Sequence, residues 1–187
     1  MYDSLIDTYF GALKRTLDSL DRRDVSDFIQ ALLAARDAGK QIFVMGNGGS
    51  AATASHMVCD FNKGLVADGK PRFKFICLND NMATLMAYAN DVSYHDVFVE
   101  PLKNFMQPGD LVIGISGSGN STNVVKAIEW ANDNGGKTFS LVGYSGGKLK
   151  QISQRSIHAD IENMQIVEDI HIILNHMIMY VVRENKI

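Results

Sequence analysis

The sequence predicts a doubly wound α/β fold: a five-stranded parallel sheet flanked by helices on both faces, with a helical extension at the N-terminus. Three observations predict it. Apolar residues first recur at helical spacing; five short apolar runs then alternate with helical stretches; and two of those runs end in glycine- and hydroxyl-rich loops that open helices. A strand that is apolar on both faces belongs in a sheet covered on each side, and such sheets are parallel.

Leu5, Ile6, Phe10, Leu13, Leu17 and Leu20 mark a first helix, and Val25, Phe28, Ile29, Leu32 and Leu33 a second, which Gly39 stops. The strand candidates are Ile42–Met45, Phe73–Leu78, Leu111–Ile115, Thr138–Val142 and Ser156–Ile161. Helices are expected near 51–62, 82–89, 94–105, 121–134 and 147–153, with a long final helix from about Gln165 to Val182. No linker, repeat or low-complexity segment divides the chain, so residues 1–187 read as a single domain.

With 187 residues, 46% hydrophobic and 21% charged, the chain has enough apolar material for a core. Its net charge of −3, with scattered Lys and Arg, argues against nucleic acid as a direct ligand. The start Met1-Tyr2-Asp3 is acidic where a secretory signal is basic, and no apolar run is long enough to span a bilayer. Cys59 and Cys77 form no CxxC pair and no disulfide framework; Cys59 is expected to pack rather than react. A cytoplasmic protein is expected.

The two loops carry the functional signal. Gly46-Asn47-Gly48-Gly49-Ser50 and Gly114-Ile115-Ser116-Gly117-Ser118-Gly119-Asn120-Ser121 both stand where a strand gives way to a helix. Glycines admit close backbone approach, Ser hydroxyls donate, and a helix N-terminus adds unpaired N–H groups, so together they suit an anionic small molecule. Either alone would pass for an ordinary βα turn.

Rival motifs fail on spacing. Gly46-x-Gly48-x-x-Ala51 matches a dinucleotide fingerprint, but the acidic residue expected about 20 positions on is misplaced, Asp80 lying further away. Gly147-Lys148 is followed by Leu149 and lacks the P-loop glycine. Gly114-Ile115-Ser116-Gly117-Ser118 departs from a nucleophile elbow at its last position.

Histidines and carboxylates supply a second signal. His56 and Asp60 are four apart and share a helix face, on the helix that the first loop opens. On the final helix Glu168 and His176 are eight apart, with His171 between them on a neighbouring line, where a packed residue is the simpler reading. A set of His56, Asp60, Glu168 and His176 could hold a divalent metal such as zinc, or supply general acid and base.

With Asn90-Asp91, Asn123-Val124 and Glu168-Asp169-Ile170-His171 added to the loops, the chain resembles, almost end to end, the SIS (sugar isomerase) domain family, and within it the phosphoheptose isomerases. The resemblance implies conversion of sedoheptulose 7-phosphate to D-glycero-D-manno-heptose 7-phosphate. It implies phosphate binding by Ser116, Gly117, Ser118 and Ser121, and sugar contacts from Asn47, Gly48, Gly49, Ser50, Asn90 and Asp91, with Glu168. His56, Asp60, Glu168 and His176 fall on its metal-binding and catalytic positions. It further implies a homotetramer with sites at subunit interfaces, the helices of residues 1–38 serving as an oligomerisation extension.

The chain departs from the family pattern where Asp60 replaces the usual Glu, Glu168 the usual Gln, and Gly117 a Thr, while a nearby basic residue appears as Lys63. Asp60 is the expected base for an enediol mechanism and His176 its acid/base partner. The alternative is a non-catalytic phosphosugar-sensing or partner-binding SIS module, like the bacterial initiator-associating proteins. Those relatives generally lack the full His/carboxylate set, which this chain has.

Overall fold

The structure, a computed structural model, describes residues 2–66 and 68–185. Met1, Lys186 and Ile187, the ends of the expected 1–187 domain, lie outside the described residues, as does Ala67. Helix α1 spans Asp3–Ser19 and α2 spans Arg22–Asp37. The chain turns between them because Asp21 caps α2, its carboxylate accepting from the Arg23 N–H at 2.8 Å.

Strands and helices then alternate as expected. The strands are β1 Ile42–Gly46, β2 Phe75–Cys77, β3 Leu111–Ser116, β4 Lys137–Val142 and β5 Arg155–His158. The helices are α3 Gly49–Cys59, α4 Met82–Asp91, α5 Val99–Phe105, α6 Thr122–Asp133, α7 Gly147–Ile152 and α8 Met164–Glu184. All neighbouring strands pair in parallel, in the order β2-β1-β3-β4-β5.

The sheet separates two apolar layers. Ile42, Val44, Ile113, Ile115, Phe139 and Leu141 face α2, α3 and α8, where the Phe28 and Phe139 rings pack at 4.5 Å. Phe43, Met45, Val112 and Val142 face the other way, against α5, α6 and α7. Gly114 belongs to this second face: a Cβ there would stand 2.8 Å from Val124 Cγ1, so the glycine lets α6 lie close to the strand.

Three local departures have definite physical causes. The 94–105 stretch is not one helix but a 3₁₀ turn, Tyr94–Asp96, followed by α5. Pro101 explains the restart, since its ring would collide with the carbonyl of Val97 in a continuous helix yet is tolerated in a first turn. The 51–62 helix ends at Cys59 and passes into a π-helical turn, Asp60–Gly64. The Asn62 side chain holds that turn to the sheet edge, donating to the Phe75 carbonyl and accepting from the Phe75 N–H, each at 2.9 Å. Cys59 does not pack as expected but is exposed, because the buried stripe of α3 runs through Ser50, Thr53, Ala54 and Met57 and Cys59 falls off it. Cys77 is the buried one, and burial pushes its thiol up to about 11.

Candidate active site

The strand order reverses between β1 and β3, which are adjacent although β2 intervenes in sequence. The chain leaves β1 for α3 on one face and β3 for α6 on the other, opening a crevice at the carboxyl ends of the two strands. Both glycine- and serine-rich loops line a cavity of about 270 Å³ there: Asn47–Ser50 from the first, Ser116–Ser118 and Ser121 from the second, with Met164 and Glu168 from α8. A larger hollow of about 500 Å³ lies between α2 and the starts of β3 and β4, but its walls include Ala31, Ala34, Ala35 and Phe139 and none of the site residues.

The chemistry of the 270 Å³ cavity follows from its backbone. Neither α3 nor α6 has a side-chain cap on its N-cap residue; the Ser50 and Ala51 N–H groups donate to the Asn47 and Gly48 carbonyls and the Val124 N–H to Asn123 Oδ1, which leaves the Gly49 N–H of α3 and the Thr122 and Asn123 N–H groups of α6 for a ligand. Gly48 starts α3 with φ 56°, a conformation that glycine takes without strain. The hydroxyls of Ser116 and Ser121 lie 2.9 Å apart and close the second loop, and the Asn120 N–H donates to Ser118 Oγ at 3.2 Å. Glu168 is pressed against Gly49, where a Cβ would stand 2.3 Å from its carboxylate. The first loop therefore needs glycine at 49 for α8 to approach.

Asn47 plays a part that its sequence context does not disclose. Its amide is paired with that of Asn123, donating at 2.9 Å and accepting at 3.0 Å, and also accepts from the Tyr94 hydroxyl at 2.8 Å. It braces the two loops against each other. Tyr94, Asn123 and Met164 went unassigned as site residues in sequence reasoning, since nothing local marks a residue that acts across 47 or 76 positions. Asn90 and Asp91 are exposed at the end of α4, bonded to each other at 2.7 Å, and do not line the cavity.

Two turns along α3 and α8 from that cavity stand His56 and His176, with Asp60 in the π-helical turn that follows α3. His56 Nε2 lies 3.1 Å from Asp60 Oδ2 and 3.1 Å from His176 Nε2, and His176 Nε2 lies 3.7 Å from the same carboxylate oxygen. The imidazoles are about half exposed, at 47% and 57%, and Asp60 is 19% exposed, so the group opens to solvent on one side. All three ligand atoms fall within 4.8 Å of one another, a set that could hold a metal ion. Two imidazole nitrogens and one carboxylate oxygen fit the three-ligand, one-open-position arrangement of catalytic zinc sites. Glu168, the fourth member expected from the sequence, is not in this group as it stands; its carboxylate is with Gly49, eight residues and about 12 Å along α8 from His176. His171 is a core residue, 1% exposed, and burial lowers it from 6.5 to about 4.

Fold and site together give a parallel α/β protein with a glycine- and serine-lined crevice suited to a small anion, and comparison with known proteins places it. Residues 8–143 match the model of the SIS domain. A "probable phosphoheptose isomerase" of Thermoplasma volcanium is 36% identical over 174 residues, 93% of this chain and 88% of that protein. A phosphoheptose isomerase of Helicobacter pylori is 34% identical over 182 residues, 95% of this chain and 94% of that one. The structure of phosphoheptose isomerase GmhA from Neisseria gonorrhoeae superposes with a TM-score of 0.89 at 22% identity, covering 98% of this chain and all of the other. The chain belongs to the SIS domain family and, within it, groups with the phosphoheptose isomerases.

Proposed function

We propose that this protein is a ketose–aldose isomerase that converts sedoheptulose 7-phosphate to D-glycero-D-manno-heptose 7-phosphate through an enediol. One observation carries the reading: α3 and α8 each run from the anion-binding cavity to the His56/Asp60/His176 group, joining a phosphate site to an acid/base site two helical turns away. That separation, about 10 Å along α3 from Gly49 to His56, suits a substrate whose phosphate and carbonyl lie at opposite ends of a long carbon chain. The relatives' names point to the same substrate class.

In this mechanism Ser116, Gly117, Ser118 and Ser121, with the start of α6, hold the phosphate. Asn47–Ser50 and Glu168 line the path of the sugar hydroxyls, Glu168 as an acceptor. Asn90 and Asp91, exposed within one chain, reach sugar only if assembly brings them to a site. In the ketose-to-aldose direction Asp60 removes a proton from C1, the released electron pair forms the C1–C2 double bond, and His176 protonates the carbonyl oxygen. From the enediol, the neutral His176 takes the O1 proton as C1=O forms, and Asp60, whose acquired proton exchanges with solvent, protonates C2. His56, Asp60 and His176 would hold a divalent cation such as zinc, which would supply Lewis-acid polarisation of the carbonyl.

Assembly as a homotetramer, with the helices of residues 1–38 as the extension, is part of the same proposal. Helix α1 turns Leu5, Ile6 and Phe10 to solvent, α4 buries no residue and exposes Met82 and Met86, and apolar faces of this kind are covered in oligomers. A cytoplasmic location belongs to the same proposal; among the described residues no helix is long and apolar enough to cross a membrane.

The test is incubation of the purified protein with sedoheptulose 7-phosphate in D₂O, with and without chelator. Formation of the aldose with deuterium at C2 is expected, and loss of rate on chelation assigns the metal. Binding of a phosphosugar with no exchange would replace the enzyme by a sensor or partner-binding module. A second expectation concerns the phosphate loop. Ser118→Ala together with Ser121→Ala should raise KM about 10-fold or more while thermal stability holds, since each lost charge-assisted hydrogen bond is worth about 1.5–3 kcal/mol. Unchanged KM in the double variant would remove this loop from the phosphate site.

A further inference from the structure

Asn175 lies on the face of α8 that packs into the core, between the buried residues Leu174 and Ile178, and is 2% exposed. Its neighbours on that face are the apolar Val167, Ile170, Leu174 and Ile178, with His171 the other polar side chain buried there, one turn earlier. An aliphatic side chain would serve packing there better than an amide. The cost is visible, because Asn175 Oδ1 is buried without a hydrogen-bond partner. The benefit is a single contact, in which Asn175 Nδ2 donates to Asp60 Oδ2 at 2.6 Å.

We propose that Asn175 is a positioning residue for the isomerase reaction, anchoring the Asp60 carboxylate in register with His176. This rests on the isomerase reading of the site. Asp60 opens a π-helical turn, one methylene shorter than the Glu to which the family resemblance compares it, and its direction is not dictated by the α3 helix that precedes it. The anchor comes from the residue immediately before His176, so one segment of α8 sets both the carboxylate and its acid/base partner. A charge-assisted bond of this kind is short and directional. It occupies Oδ2, the oxygen that also faces His56 at 3.1 Å. Among the described residues Asp60 Oδ1 has no hydrogen-bond partner, which makes it the oxygen available to take a proton.

The discriminating variant is Asn175→Leu, nearly isosteric and without the orphaned amide. Its melting temperature should equal or exceed that of the wild type, while kcat for sedoheptulose 7-phosphate falls about 10- to 100-fold, a part of what a general base contributes. KM should stay within about twofold, because the phosphate loop is untouched. Asp60→Glu in the Asn175→Leu background should recover part of the lost kcat, since the longer side chain reaches further without the anchor. A kcat equal to the wild type's in Asn175→Leu, or a loss of rate that only tracks a lowered melting temperature, overturns the proposal. An inactive wild-type protein would instead overturn the isomerase reading itself, which keeps the two failures apart.

Discussion

Asp60→Asn is expected to lower turnover of sedoheptulose 7-phosphate by about 10²–10⁴-fold, the range a proton-transfer base contributes. The replacement is nearly isosteric. Its amide oxygen can still accept from Asn175 Nδ2, which donates to Asp60 Oδ2 at 2.6 Å in the native protein, so the link between the α3 end and α8 survives. What it removes is the ability to take a proton. Substrate affinity set by the serine loop should therefore persist while the rate collapses, and deuterium exchange from solvent should fall in parallel. Joint loss of affinity and rate would mark Asp60 chiefly as a metal ligand, because a carboxylate tightly bound to a cation is a poorer base and its removal would disturb the whole group. Elemental analysis of the variant beside the wild type separates these outcomes.

Acidification should destabilise the protein through His171. This imidazole is 1% exposed, and burial lowers it from 6.5 to about 4. Between those values the unfolded chain binds a proton that the folded chain does not, so stability from this group is complete above about pH 6.5 and is lost as pH falls towards 4. The full difference corresponds to about 3 kcal/mol at 1.36 kcal/mol per pH unit. Urea unfolding at pH 7.5 and pH 4.5 tests this when wild type and His171→Leu are compared, since the remaining titratable groups are common to both. The variant should lose about 2.5 kcal/mol less over this interval, since pH 4.5 stops short of the folded value of about 4. Parallel losses in the two proteins would show that His171 is not the group responsible.

The alternation of strands and helices was legible in the sequence because hydrophobic period is a local property. Ile42–Met45 and Leu111–Ile115 are apolar on both faces whatever surrounds them, and each became a strand buried throughout. The edge strands were read too long. β2 pairs only with β1 and β5 only with β4, so their lengths are set by the one partner and not by their own composition. Pro101 carried the signal that breaks the 94–105 stretch, through the carbonyl it excludes four residues earlier.

For the site, two loops of a kind suited to an anion were legible in the sequence, because glycine, serine and a following helix start lie within a few residues of one another. The sequence by itself also determined that His56 and Asp60 share a helix face, since their spacing matches the helical period. Tertiary structure alone decided that His176 meets them across 120 positions, that Asn175 reaches Asp60 across 115, and that Asn47 is spent on Asn123 and Tyr94. It also placed Glu168 against Gly49, apart from the histidines. The physical reason is common to all of these: a hydrogen bond or ligand set between distant segments depends on how helices pack on the sheet, and the periodicity of each helix shows which face is buried but not which neighbour it meets.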